Sequence, residues 1–253
     1  IAGFEVEDSG DIDCDSDKDV EITNPRLRFV DEVAAVARAV SRKVEDIISS
    51  GRRPVVIGGD HSTEIGAISG AAKALKGKLG VIYIDEHGDI STDKTTDSGL
   101  IHGMSLTSVM GMGDKRLASV SGVPVRKENV LHIGGDQFDT HELELVEAEQ
   151  IKMIKLVDII NDGMRPVVEA INQLDETVDG VWVSLDLDSI DAHDAPGVSM
   201  PDRFGLSYRE ISNLARHIGQ HTKVVGITVA EYNYSKDKNY RTVELATEIV
   251  ASV

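Results

Sequence analysis

Short runs of apolar, mostly β-branched residues punctuate the chain at residues 55–57, 79–84, 130–133, 181–187 and 224–229. Each is bounded by Gly or polar residues and is too short for a helix, so each reads as a buried parallel strand. Between them apolar residues recur at threes and fours. The clearest such segment aligns Val30, Val33, Val36, Val40, Val44 and Ile47 on one face, after Asn24-Pro25 and before Gly51. Further helices are expected over residues 62–76, 141–149, 164–173, 207–218 and 241–251. Alternation of this kind predicts an α/β fold, with a doubly wound parallel sheet sandwiched by helices in three layers. With 253 residues, 41% of them apolar, the chain can fill one large core. No internal repeat, low-complexity tract or linker divides it, so a single domain over residues 1–253 is expected.

Two segments break the alternation. Residues 91–109, "STDKTTDSGLIHGMSLTSV", and residues 189–205, "SIDAHDAPGVSMPDRFG", both follow strands and read as long loops. Ligands of open parallel sheets bind beyond the carboxyl ends of the strands, where these loops must lie. The strand ends also carry acids. The first run leads into "GGDHS" and His61, the second into "DEHGD" with Asp85, His87 and Asp89, and the fourth into "LDLD" with Asp186 and Asp188. Residues two apart on an extended chain share a face, so Asp85 with His87, and Asp186 with Asp188, can aim at one point. Carboxylates this close repel unless protons or cations neutralise them. Six hard or borderline ligands without a thiolate suit a pair of divalent ions such as Mn²⁺ better than a structural zinc. Paired ions of this kind can hold a hydroxide at neutral pH.

Charge narrows the partners. The net charge of −18 argues against nucleic acid and anionic membrane, and suits a cationic substrate. No apolar run approaches the roughly 20 residues that span a bilayer, and no signal segment opens the chain. Cys14 is the single cysteine, which excludes an internal disulfide and fits a reducing cytoplasm. Trp182 and the scattered methionines read as core. Ser62 lacks a nucleophile elbow, and the Gly-Gly pairs lack the spacing of a nucleotide-binding loop.

Taken together, "IGGDHSTEIGAISG" (57–70), "IDEHGDIS" (84–91), "SGLIHGM" (98–104), "SLDLDSIDAHDAPG" (184–197) and the Glu231 of "VAEYN" resemble the ureohydrolases, the family of arginase and agmatinase. The resemblance runs from about "VEDSGDI" (6–12) to the last helix. The family's first strand and turn have no counterpart ahead of it, and the first residue is Ile1 rather than Met, so the domain is expected to lack its N-terminal strand. The resemblance implies a binuclear manganese enzyme that hydrolyses a guanidinium group to urea and an amine. Carried over by position, His61, Asp85, Asp89 and Asp186 would hold one ion, and Asp85, His87, Asp186 and Asp188 the other, with Asp85 and Asp186 bridging. A bridging hydroxide would attack the guanidinium carbon and pass its proton through Asp89 toward the leaving amine. Glu231 would orient the guanidinium, and His102 would shuttle protons. A homotrimer or homohexamer is the assembly the resemblance implies.

The loop wording resembles arginase more than agmatinase. Thr96 and Ser98 match positions that contact the α-carboxylate of arginine, and Asp139 and Glu142 match positions facing its α-amino group. Departures stand beside these matches. Ser91 and Leu100 replace residues that are usually asparagine, and the Leu100 side chain donates no hydrogen bond. Glu86 stands where the family places Ala or Ser. Strand alternation turns it from the metal face, either buried or paired behind the site, or retuning the metals toward a more cationic guanidine. Glu64, often Ala in arginases, raises the same question. Arginine is the leading substrate. Agmatine, guanidinobutyrate or a formimino amino acid are alternatives, and a non-catalytic metal-binding member of the fold is a remoter one.

Overall fold

The computed structural model describes residues 3–14 and 21–253. Along the chain run α1 (Val30–Ser49), β1 (Val55–Ile57), α2 (Thr63–Ala74), β2 (Leu79–His87), α3 (Ser105–Val109), α4 (Lys115–Ala118), β3 (Val130–Gln137) and α5 (Thr140–Glu149). They are followed by β4 (Lys152–Lys155), α6 (Leu156–Asp162), α7 (Arg165–Thr177), β5 (Gly180–Asp186), α8 (Tyr208–His221), β6 (Val224–Ala230) and α9 (Arg241–Ser252). The strands form one sheet in the order β1-β6-β5-β2-β3-β4, with every pairing parallel. This is the predicted doubly wound α/β architecture.

Alternation along the central strands allots their side chains to two cores. Val81, Tyr83 and Trp182 pack on one face with Val44 of α1, Ile68 of α2 and Leu106 of α3. Ile82, Ile84, Val183 and Leu185 pack on the other with Ile171 of α7, Ile211 of α8 and Leu245 of α9. Each large apolar side chain buried in this way stabilises the fold by about 1.5–3 kcal/mol. Trp182 is core, as expected, and its ring N–H donates to Thr228 Oγ1 at 3.3 Å.

The chain leaves β2 for β3 on one side of the sheet and returns to β5 on the other. A topological switch point therefore lies at the carboxyl ends of β2 and β5, where a crevice opens. His61 reaches it from the turn between β1 and α2, and α2 is seated tightly against α1. Gly66 makes that seating possible, because a Cβ there would lie 2.6 Å from the Ala37 carbonyl oxygen.

Some elements differ from expectation. β1 is an edge strand with Val55 and Ile57 exposed rather than a buried one. β5 ends at Asp186, so Asp188 sits in a single 3₁₀ turn, Leu187–Ser189. β4, α4 and α6 were not expected, and the segment 91–109 ends in a 3₁₀ turn and α3 rather than remaining a loop. We expect Gly66→Ala to lower stability by about 1–3 kcal/mol through overpacking, read as a lower urea midpoint with an unchanged slope.

Candidate metal centre and substrate site

His61, Asp85 and Asp186 bring one ligand atom each within 4.8 Å of one another, and Asp85, His87 and Asp188 do the same. Asp85 is common to both groups. All but the half-buried His87 are buried. His61 Nδ1 lies 2.8 Å from Asp85 Oδ2, 3.1 Å from Asp186 Oδ2 and 3.1 Å from Asp89 Oδ2. His87 Nδ1 lies 3.6 Å from Asp85 Oδ1 and 3.4 Å from Asp188 Oδ2. The six predicted ligands thus converge, with Asp89 joined to the rest through His61.

Backbone bonds aim these side chains. The N–H of His87 donates to Asp85 Oδ1 and that of Asp188 to Asp186 Oδ1, each at 2.8 Å. For Asp186 and Asp188 this local turn, rather than strand alternation, fixes the common aim. His132 Nε2 donates to the His87 carbonyl oxygen at 2.8 Å and holds the strand end from β3.

The electrostatics are those of a site short of positive charge. Burial opposes ionisation of Asp85, yet His61 and His87 beside it hold its carboxyl well below the usual range. Burial and the neighbouring carboxylates push Asp186 up and Asp188 up to about 8. Against burial, Asp186 and Asp85 raise His61 well above its ordinary value, and Asp188 and Asp85 push His87 up to about 12. Meanwhile Asp85 Oδ2, Asp188 Oδ1 and His87 Nε2 are buried with no hydrogen-bond partner. Orphaned buried oxygens in a set rich in carboxylates and free of thiolate fit divalent cations.

Of the predicted catalytic and substrate residues, Glu231, His102 and Glu142 are tied to the cluster or its backbone, while Thr96, Ser98 and Asp139 make local bonds. Glu231, just past β6, accepts from the His61 N–H through Oε1 at 3.0 Å, and burial raises its pKa. His102 lies in the 3₁₀ turn His102–Met104 with Nδ1 3.9 Å from Asp60 Oδ2. Asp60, and then Asp89 and Glu231, raise its pKa against burial. Thr96 is buried and accepts from the Gly99 N–H, whereas Ser98 is exposed and accepts from that of Leu100. Gly99 has φ of +70° and packs against the Pro25 carbonyl, where no side chain fits. Asp139 is the exposed N-cap of α5. Glu142 does not face open space: it accepts from Asp139 N–H and from Ile90 N–H, each at 3.0 Å, tying α5 to the residue after Asp89. Ser91 is buried and bonded to His141 Nε2 at 2.9 Å.

Three neighbours were not singled out from the sequence. Tyr83 OH donates to Asp89 Oδ2 at 2.8 Å and lies 3.1 Å from His61 Nδ1. Ser184 Oγ lies 2.8 Å from His61 Nε2. Both stand two residues before an aspartate of the cluster, so the alternation that picked out Asp85 and Asp186 could have found them. His132 carried no such signal. Glu86 is buried behind the site, one of the two expected outcomes, and accepts from the Asp136 N–H at 3.3 Å.

The chain matches the model of the arginase family over residues 1–253. It is 38% identical to the arginase of Brevibacillus brevis over 254 residues, covering 99% of this chain and 85% of that one. The crystal structure of arginase from Bacillus cereus superposes with a TM-score of 0.91 at 40% identity, over 99% of this chain and 84% of that one. That of the Bacillus subtilis arginase gives 0.92 at 35% identity, over 99% and 85%.

Burial, with Asp202 and Asp136 nearby, pushes the Glu86 carboxyl from 4.5 up to about 7. The folded state then holds a proton that the unfolded chain releases near pH 4.5, so stability of the metal-free protein falls as pH rises from 4.5 to 7. Glu86→Gln is expected to flatten that decline, measured by thermal melts in chelator across this range.

Proposed function

The chain belongs to the arginase family, and from that premise we propose that it hydrolyses the guanidinium group of arginine to urea and ornithine at a pair of Mn²⁺ ions. The observation that carries this reading is the convergence of two ligand triads on a shared Asp85 at the sheet's switch point. His61, Asp85, Asp89 and Asp186 would hold one ion, and Asp85, His87, Asp186 and Asp188 the other. When bound, the dications lower the pKa of water toward neutrality and so supply a nucleophile.

The remaining work falls to the chain's own residues. Glu231 orients the guanidinium by accepting its parallel N–H bonds. Asp89, its Oδ2 held by Tyr83, receives the proton released in attack. His102, whose pKa the neighbouring Asp60 raises above the ordinary imidazole value, delivers a proton to the leaving amine. Thr96 and Ser98 face the α-carboxylate and Asp139 the α-amino group. Glu142 supports this clamp by fixing the backbone at Asp139 and Ile90. The acidic surface draws a cation toward the crevice.

No helix among the described residues is long and apolar enough to cross a membrane. The exposed free thiol of Cys14 accords with a reducing cytoplasm, and a homotrimer or homohexamer is the assembly this reading carries with it.

Urea release by the Mn²⁺-loaded protein from arginine, agmatine and 4-guanidinobutyrate tests the proposal. Arginine should be the substrate turned over, and Asp186→Asn should fall to background. His102→Asn should lose about 10²–10⁴-fold in kcat. Turnover confined to a guanidine without the α-carboxylate would reassign the substrate. Leu100→Asn restores a donor near that carboxylate, worth about 1–3 kcal/mol, and should lower KM for arginine while leaving agmatine unaffected.

A further inference from the structure

One side chain beside the ligands has no task in this scheme. Glu64, in the first turn of α2, is fully buried, and neither of its carboxyl oxygens has a hydrogen-bond partner. A carboxyl buried in this way is costly to the fold unless it acts on something nearby. Its Oε1 lies 3.8 Å from His61 Nε2, the ring nitrogen turned away from Asp85, Asp89 and Asp186. The three-residue spacing along the helix start brings the two side chains to the same side.

Ser184 links them. Its Oγ is 2.8 Å from His61 Nε2, and Ser184, Thr228 and Trp182 are the polar neighbours of the Glu64 carboxyl. With Nδ1 turned to the carboxylates as a ligand atom, Nε2 must carry the ring hydrogen and donate it to Ser184 Oγ. Ser184 then keeps its own hydroxyl hydrogen, with the unpartnered Glu64 carboxyl as its acidic neighbour. His87 has no such support, because its Nε2 is buried without a partner. The two halves of the site are therefore unequal behind their histidines.

We propose that Glu64 is a positioning residue for His61, acting through Ser184 to fix the ring tautomer and to strengthen Nδ1 as a donor to the ion that His61 holds. The proposal rests on the two-ion reading above. Carboxylates behind metal-binding histidines act in this way, and their loss costs about 10–100-fold in metal affinity.

Calorimetric titration of the metal-free protein with Mn²⁺ tests it, using wild type, Glu64→Gln, Glu64→Ala and Ser184→Ala. Wild type should take up two ions. Glu64→Gln and Ser184→Ala should weaken one ion by about 10–100-fold and leave the other unchanged. Glu64→Gln keeps the shape of the side chain, and an unaltered or higher melting temperature without metal would show that it folds. Two ions bound by Glu64→Gln as tightly as by wild type would overturn the proposal and leave the two-ion reading standing, as would equal weakening of both. Uptake of fewer than two ions by wild type would overturn both.

Discussion

Four buried aspartates brought together at the end of a sheet repel one another unless cations or protons stand among them, and the rest of the site is arranged around that repulsion. Coulomb energies between neighbouring carboxylates grow as the surroundings become less polar. Asp85, Asp89, Asp186 and Asp188 are all buried, and the two histidines among them are driven toward protonation. A protonated imidazole is a poor substitute for a dication, since it neutralises one charge and satisfies few oxygens. Asp188 Oδ1 is a case in point: it is buried with no hydrogen-bond partner, although His87 Nδ1 lies 3.4 Å from the other oxygen of the same carboxylate. The carboxylates are spaced for a cation to sit among them.

The sheet makes the convergence possible. Only at the switch point do two adjacent parallel strands send their following loops apart, leaving their carboxyl ends uncovered. β2 and β5 are those strands, and their alternation turns Tyr83, Asp85 and His87, with Ser184 and Asp186, toward the face covered by α2. The close seating of α2 on α1 at Gly66 fixes where His61 arrives. Helix packing far from the ligands therefore sets a ligand position.

Much of this was legible in the sequence because buried parallel strands write themselves as uninterrupted apolar runs. β2, β3, β5 and β6 were found that way, and the acids at the ends of β2 and β5 marked the site. β4 escaped because "KMIK" offers only two apolar residues between flanking lysines, as suits an edge strand paired on one side. β1 was recognised as a strand but not as an edge, because β-branched composition reports backbone preference and says nothing of which neighbour is present. The aim of Asp188 was foreseen for the wrong reason, since a 3₁₀ turn rather than an extended chain delivers it. Glu142 matched a substrate position, yet both its oxygens serve backbone N–H groups, a use that only folding reveals.

The two acids assigned to the moving proton and the guanidinium share a backbone property that no composition discloses. Asp89 has φ of +52° and Glu231 of +63°, both left-handed and unfavourable for side chains of this kind. Such conformations cost about 1–3 kcal/mol each and persist only where neighbours hold them. The neighbours are identifiable. Asp89 is held by Tyr83 at Oδ2 and by Leu106 N–H at its carbonyl oxygen, while Glu231 donates its N–H to Gly59 and accepts from His61. Both anchors reach into the ligand set, Tyr83 within 3.1 Å of His61 Nδ1 and the Glu231 bond through His61 itself. His61 thus ties the cluster of candidate ligands to the placement of both acids, so disturbance of its ring would be felt at Asp89 and at Glu231 together.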